Sequence, residues 1–313
     1  MNPKELLEAF QKEFDVVGII KADKYINAAN ELSHELLKIE FNSMVVVGLA
    51  YPKKVMVSNE DFAYASFYTF GQDYHTVLKH RILKVMKNFN VRYDFGVDNH
   101  PHDERLAASL AGIGYLGKNQ LIINKDHGSY LFLGIVFVDI DNDYEEIHES
   151  LESCGDCRIC IDSCPTHALS INGYNQSKCI SNYNQEKRAL TSNEIKFNYC
   201  LFGCDICQLV CPKNIPIKRV LHSEFDLSGK EAVSYKDLFS LSEREFKEKY
   251  DNMAYLWKGK TILMRNALTL LLRQKNTKYN DLIRDSLKKY EVPWYQETAK
   301  LILKSLEEIK ESI

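Results

Sequence analysis

No cysteine occurs before residue 154 or after residue 211, although the chain holds nine. That confinement argues against a disulfide framework spread over the chain, and thiols so crowded point to metal ligation rather than to inert core cysteines. No apolar run approaches the length that spans a bilayer. The first eighteen residues, Met1 to Gly18, have the spacing of a charged amphipathic helix and lack the apolar centre and small-residue cleavage site of a secretory signal. A cytoplasmic protein that makes no use of a membrane is expected. Excess charge is also missing: 40 basic and 43 acidic residues leave a net charge of −3, so any polyanion site has to be a local patch. A length of 313 residues is too great for one ferredoxin module and sufficient for two or three domains.

What is present falls into three stretches. Up to about Asp143, helical and strand signals alternate. Ser43 to Tyr51 is a β-branched run with the look of a buried strand, Tyr74 to Phe89 carries apolar residues at helical spacing, and Gln120 to Asn124 and Tyr130 to Asp139 are again strand-like. The acidic stretch Asp139 to Glu152 reads as a solvated connector. The cysteine-rich block follows, from Ser153 to about Asn214. From Tyr235 to Ile313 the pattern is helical throughout, with apolar stripes on Leu263, Ala267, Leu270 and Leu271, on Leu282, Ser286, Leu287 and Tyr290, and on Ala299, Leu301, Ile302, Leu303 and Leu306. The expected fold class is α+β: an α/β domain over residues 1–145, a ferredoxin-like domain over 146–222 and a short helical, repeat-like domain over 223–313.

Cys154-x2-Cys157-x2-Cys160-x3-Cys164-Pro165 has the spacing of the bacterial ferredoxin run, in which three thiolates hold one [4Fe–4S] cluster and the fourth reaches a second. Cys204-x2-Cys207-x3-Cys211-Pro212 repeats its last three positions. Crossed ligation then gives Cys154, Cys157, Cys160 and Cys211 to one cluster, and Cys164, Cys204 and Cys207 to the other. The missing ligand is Cys179 or Cys200; three residues separate Cys200 from Cys204, one more than the pattern has, which favours Cys179. Paired C-x2-C motifs also occur in zinc sites, but a C-x2-C-x2-C-x3-CP run is rarely one of them.

The flanking motifs follow in a specific order: Gly71-Gln-Asp-Tyr-His75, Val97-Asp98, Ala111-Gly-Ile-Gly-Tyr-Leu-Gly-Lys-Asn119, Gly128-Ser-Tyr-Leu-Phe-Leu133, Cys179-Ile-Ser181, Gly203-Cys-Asp-Ile-Cys-Gln208 and Trp257-Lys-Gly-Lys260 with Arg265-Asn-Ala267. This ordered set resembles the epoxyqueuosine reductase family over nearly the whole chain. The resemblance implies an oxidoreductase with two [4Fe–4S] clusters and cobalamin that reduces epoxyqueuosine at the tRNA wobble position. It implies that the N-terminal domain binds the corrin with contacts at Ser66, where the family has a cysteine, and at Ile122, Leu133 and Ser181. It further implies Asp98 as proton donor, a role that asks for a carboxyl kept protonated by burial against the corrin. The helical tail would hold the tRNA, with Lys258, Lys260 and Arg265 facing phosphates. Partners implied are the tRNA and a low-potential electron donor such as flavodoxin or ferredoxin, acting on a monomer.

Two other functions use the same motifs: a dehalogenase-like cobalamin reductase of a small molecule, and a ferredoxin-like electron carrier without catalysis. From Tyr255 to Ile313 basic residues outnumber acidic ones by five, which suits phosphate binding or a solvated helix face. Gly112-x-Gly114-x-x-Gly117 imitates a dinucleotide fingerprint but follows a helical stretch, Arg105 to Leu110, instead of a strand. Close approach to a large planar cofactor explains these glycines better. Lys118 is a cofactor or nucleic-acid contact or an exposed lysine. His100 and His102 read as ordinary surface residues.

Overall fold

The computed structural model describes residues 2–33, 38–141, 153–217 and 222–311. The chain forms two compact units interleaved along the sequence: residues 1–52, 74–160 and 207–223 make one, and residues 53–73, 161–206 and 224–313 the other. The three stretches expected from sequence are consecutive, whereas these units are not. Most of the acidic connector, residues 142–152, lies outside the described residues.

The first unit is built on a four-stranded sheet that is antiparallel throughout. Its strand order is Val16–Lys21, Ser43–Ala50, Leu131–Val138, Tyr93–Gly96. In the central strand Val46 pairs with Gly18 on one side and Ile135 on the other. All eight residues of Ser43–Ala50 are buried, which is why that strand reads as an unbroken apolar run: both faces are covered. Met44, Val46, Ile135 and Phe137 meet Tyr25 and Ala29 from the Ala22–Ser33 helix and Ala107, Ala108 and Ala111 from and just after the Glu104–Leu110 helix. Val45, Val47 and Val136 point the other way, and the helices Pro3–Gln11 and Tyr74–Met86 also pack on the sheet. The N-terminal helix stops at Gln11, and Val16 to Gly18 already belong to a strand. The amphipathic reading of Met1 to Gly18 therefore ran one turn and a strand entry too far.

In the second unit the helices Lys260–Arg273, Asn280–Lys289 and Pro293–Glu311 share one core with Tyr235, Leu238, Phe239 and Phe246. Three apolar stripes converge there: Leu263, Ala267, Leu270 and Leu271; Ile283 with Leu282 and Leu287; Ala299, Ile302, Leu303 and Leu306. Ala63 and Ala65 join the same core, and the short strand Phe62–Tyr64 pairs with Ala232–Ser234. Among the described residues no helix is long and apolar enough to cross a membrane.

Candidate functional site

Four thiols in the first unit stand around one cavity. Cys154, Cys157, Cys160 and Cys211 line it with Lys118, Asn119, Ile123, Pro212 and Lys213. The fourth thiol comes from the second cysteine run, as crossed ligation requires. Burial pushes the Cys211 thiol up, and the neighbouring Cys154 and Cys157 thiols add to that shift. Among the described residues no three His, Cys, Asp or Glu side chains close on one ion-sized point. A cube is suited to thiols that surround a common space, since each ligand meets its own corner. Asn119 Nδ2 is buried without an acceptor among the described residues and lines the same cavity, so it offers a donor to a sulfide. These residues fit a four-iron cluster.

Lys118 fixes the loop that carries the thiols. Its backbone N–H points at Cys154 Sγ at 3.5 Å, and its Nζ donates to the carbonyls of Gly155 at 2.7 Å and Cys157 at 3.1 Å. Sequence reasoning left this lysine undecided. Its place after the glycine-rich turn was the available signal, because that turn sets it. Gly112, at φ 72°, follows the Glu104–Leu110 helix in the left-handed region. A Cβ on Gly114 would come within 2.6 Å of the Ile123 carbonyl, and one on Gly117 within 2.6 Å of Asn119 Oδ1. Gly114 and Gly117 serve this internal approach of the Tyr115–Leu116 and Ile122–Ile123 strands, a reason for glycine that needs no cofactor.

In the second unit Cys164, Cys179 and Cys204 are partly exposed and Cys200 is buried. Burial alone would raise the Cys164 thiol, but N–H groups of Leu169, Ala168 and Thr166 and the Thr166 hydroxyl hold it below its ordinary value. Burial pushes Cys204 up to about 12, with the Cys179 thiol a smaller contributor. Cys200 is different: it sits 3.3 Å from the Phe202 carbonyl as a thiol donor, and burial holds it strongly protonated. Cys207 groups with the first unit.

Asp98 occupies a left-handed turn, φ 57°, just beyond the Tyr93–Gly96 strand. Its backbone N–H donates to Glu104 Oε1 at 2.8 Å; Oδ2 lies 3.1 Å from His75 Nε2 and 3.4 Å from Tyr74 Oη. Tyr74 is stacked between His75, at 4.0 Å between ring centroids, and Phe132, at 4.2 Å. The hydrogen bond from His75 holds the Asp98 carboxyl below its usual range against the opposing effect of burial, and half of the side chain is exposed. Within the chain itself an imidazole partner stabilises the carboxylate. Glu104 and Asp103 are both engaged in structure. Glu104 accepts from Asp98 N–H and lies 3.1 Å from His100 Nε2, and Asp103 caps its helix by accepting from the N–H groups of Arg105 and Leu106. His100 and His102 are partly buried. The His100 side chain is 11% exposed, and the His102 ring packs on Phe137 and Tyr25.

The remaining expected contacts divide by burial. Ile122 and Leu133 lie in the first unit, on the short hairpin and the Leu131–Val138 strand; Ile122 is buried and Leu133 partly so. Ser66 lies in the second unit and has no exposed surface. Its hydroxyl donates to Asp205, its N–H to the Phe202 carbonyl, and its carbonyl accepts from Thr69. Each of its polar groups thus has a partner inside the protein. Ser181 is partly exposed and lines an open cleft with Lys258. Lys260 and Arg265 are interior ties. The Lys260 ammonium donates to the Leu241 carbonyl and to Tyr290 Oη, and burial pushes it down to about 8. The Arg265 guanidinium, with no exposed surface, donates to the carbonyls of Tyr183, Asn184, Glu186 and Arg188. Neither can reach a phosphate, which corrects both assignments.

Comparisons with known proteins point to one family. Residues 153–214 match the family of 4Fe–4S double cluster binding domains, and residues 33–99 match the family described as "Epoxyqueuosine reductase QueG, DUF1730". The epoxyqueuosine reductase of Lactococcus garvieae is 33% identical over 310 residues, which covers 92% of this chain and 86% of that protein. That of Staphylococcus aureus is 34% identical over 288 residues, covering 86% and 72%. Among solved structures, the epoxyqueuosine reductase from Streptococcus thermophilus has a TM-score of 0.84 at 27% identity, covering 98% of this chain and 90% of that one. An epoxyqueuosine reductase crystallised with an epoxyqueuosine-modified tRNA stem loop has a TM-score of 0.79 at 25% identity, covering 97% and 98%.

Proposed function

The chain belongs to the epoxyqueuosine reductase family, an oxidoreductase family that reduces epoxyqueuosine, and on that premise we propose that it acts on the wobble nucleotide of a tRNA with a corrinoid and two [4Fe–4S] clusters. The observation that carries this reading is the cavity shared by Cys154, Cys157, Cys160 and Cys211, because it joins the two cysteine runs into one electron-transfer centre. The second cluster follows the sequence pattern through Cys164, Cys179, Cys204 and Cys207. Conversion of an epoxide to an alkene consumes two electrons and two protons and releases the oxygen as water. A bound corrinoid supplies reduced cobalt, a strong nucleophile towards carbon; the protein supplies orientation and protons.

For that proton Asp98 is the residue in place. Its half-exposed carboxyl is held by His75 at 3.1 Å and is open to a group outside the chain. Coverage of Asp98 by bound cofactor and RNA removes water from it and raises its proton affinity, which turns a carboxylate at rest into a general acid in the complex. Tyr74, stacked on Phe132, fixes the imidazole and with it the direction of the acid. Asp98, Ile122 and Leu133 belong to the unit proposed to carry the corrin, and Ser181 remains a proposed contact.

The test is to load the clusters and cobalamin anaerobically and to follow an epoxyqueuosine-containing anticodon stem loop by mass, where turnover removes one oxygen. Asp98→Asn keeps the shape and loses the proton, so turnover is expected to fall by about 10²–10⁴-fold with iron content and corrinoid binding unchanged. Absence of conversion by the fully loaded wild-type protein would overturn the reading. Near-normal turnover in Asp98→Asn would remove Asp98 as the acid.

A further inference from the structure

A second place with polar groups left open lies in the helical unit. Trp257 and Lys258 line an open cleft of about 310 Å³ together with Tyr174, Ser181, Asn182, Gln185 and Glu186. That volume is at the small end of ligand pockets. Trp257 is a large aromatic that is 45% exposed. The Lys258 ammonium lies 3.5 Å from the centre of its ring and meets no acceptor among the described residues. The Gln185 amide donates to the Ser181 carbonyl at 2.7 Å, and its Oε1 accepts nothing from the described residues. Glu186 does not oppose an anion here, because Arg188 Nε holds it at 2.5 Å and Asn182 Nδ2 donates to it.

Interior ties hold the backbone that carries one part of this cleft. Arg265 donates to the carbonyls of Tyr183, Asn184, Glu186 and Arg188, and Asn266 Nδ2 donates to that of Asn184. The segment carrying Gln185 is therefore pinned from below. Gly259, at φ 90°, lets the chain turn from Trp257 and Lys258 into the Lys260–Arg273 helix, where Lys260 is buried at once. Structure thus takes up Lys260, Arg265 and Asn266, and leaves Trp257, Lys258 and Gln185 to a ligand.

We propose that this cleft seats one unstacked nucleotide of the substrate RNA, with its base on Trp257, its phosphate against Lys258 and its polar edge at Gln185. This rests on the reading of the protein as acting on tRNA and names a subsite for that substrate. An exposed aromatic, a cation and a side-chain amide are what single-stranded RNA recognition uses, because a splayed base offers a π face, a charged backbone and a hydrogen-bonding edge. The base replaces the ammonium on the indole, and the ammonium moves to the phosphate.

The chain contains two tryptophans, Trp257 and Trp294, so Trp294→Phe leaves Trp257 as the reporter. The full-length, cluster-loaded, cobalamin-free protein is titrated with an unmodified anticodon stem loop and, separately, with hydroxocobalamin. Saturable quenching of Trp257 by the RNA is expected. Trp257→Ala should weaken RNA affinity about tenfold or more and Trp257→Phe much less, while Lys258→Ala should reduce the salt slope by about 0.7–0.9. Full-affinity RNA binding by Trp257→Ala, or RNA binding to the Trp294→Phe protein that leaves Trp257 unquenched, overturns the subsite and leaves tRNA as substrate. Quenching by hydroxocobalamin at absorbance-corrected intensity, with RNA silent, gives the cleft to the cofactor and also overturns it. No RNA binding by the parent protein removes the tRNA reading itself.

Discussion

The cavity at Cys154–Cys160 and Cys211 and the buried face of the Lys260–Arg273 helix hold equally polar residues and use them in opposite ways. Around the cavity, thiols and the Asn119 amide face a common space with groups unspent. Along the helix, Lys260, Arg265, Asn266 and Thr269 are all buried and all hydrogen-bonded within the protein. A charge taken out of water and fully satisfied by carbonyls holds the fold; a polar group partly buried beside open space is available for chemistry. Lys258 and Lys260, two positions apart, fall on different sides of that line.

The largest effect separates Arg265 from Lys258. Arg265→Ala takes one donor from each of four carbonyls and removes the guanidinium donors of Asn266 Oδ1. Removing a fully engaged buried ion is expected to cost about 3–5 kcal/mol, read as a lower midpoint in urea unfolding. Lys258→Ala should stay within about 0.5 kcal/mol of the parent. A stable Arg265→Ala protein that is weakened only in RNA binding would break the comparison and restore Arg265 as a phosphate contact.

Among the cysteines the same contrast predicts a loss of iron. Cys211→Ala should remove the cluster held by the first run, leaving about four of eight irons per chain, although Cys211 belongs to the second run. Cys179→Ala should cost the other cluster. Cys200→Ala should keep both, because Cys200 is a buried thiol that donates to a carbonyl. Iron analysis after anaerobic reconstitution decides this. Loss of a cluster in Cys200→Ala with Cys179→Ala intact would exchange their roles.

Much of this was legible before the structure. The unbroken apolar run at Ser43–Ala50 announced a strand covered on both faces, and the spacing from Tyr74 announced its helix. The crossed thiols were readable because cluster ligation imposes fixed spacing. Val16–Lys21 and Tyr93–Gly96 were not anticipated as strands: the first was absorbed into a helical pattern, and the second alternates with charge at a sheet edge. Burial of cations was the least legible feature. A basic surplus in the tail counts Arg265 and Lys258 alike, and only the path of the 183–188 segment shows that one of them is enclosed.

The smallest effect concerns Asp98 and sharpens what the first unit keeps open. His75→Phe preserves the ring stacked on Tyr74 and removes the hydrogen bond to Oδ2. The Asp98 pKa is lowered first by that bond and then, against burial, by the charge of His75 and by Tyr74, so in the variant it should rise towards or above the ordinary carboxylate value. The sign for stability follows. A carboxyl depressed in the folded state contributes stability above its unfolded pKa of about 3.9, and that contribution is lost as pH falls through the folded value. His75→Phe should therefore be less stable than the parent near neutral pH, with the gap closing in acid. Half-exposure of the carboxyl limits the gap to about 1 kcal/mol or less. A carboxyl-carbon NMR titration reads the shift directly. In turnover, an acid with a higher pKa stays protonated to higher pH, so the alkaline limb of the rate should move upward in His75→Phe. An unmoved Asp98 titration would show that His75 leaves the carboxyl alone, and a moved titration with an unmoved alkaline limb would show that the proton comes from elsewhere.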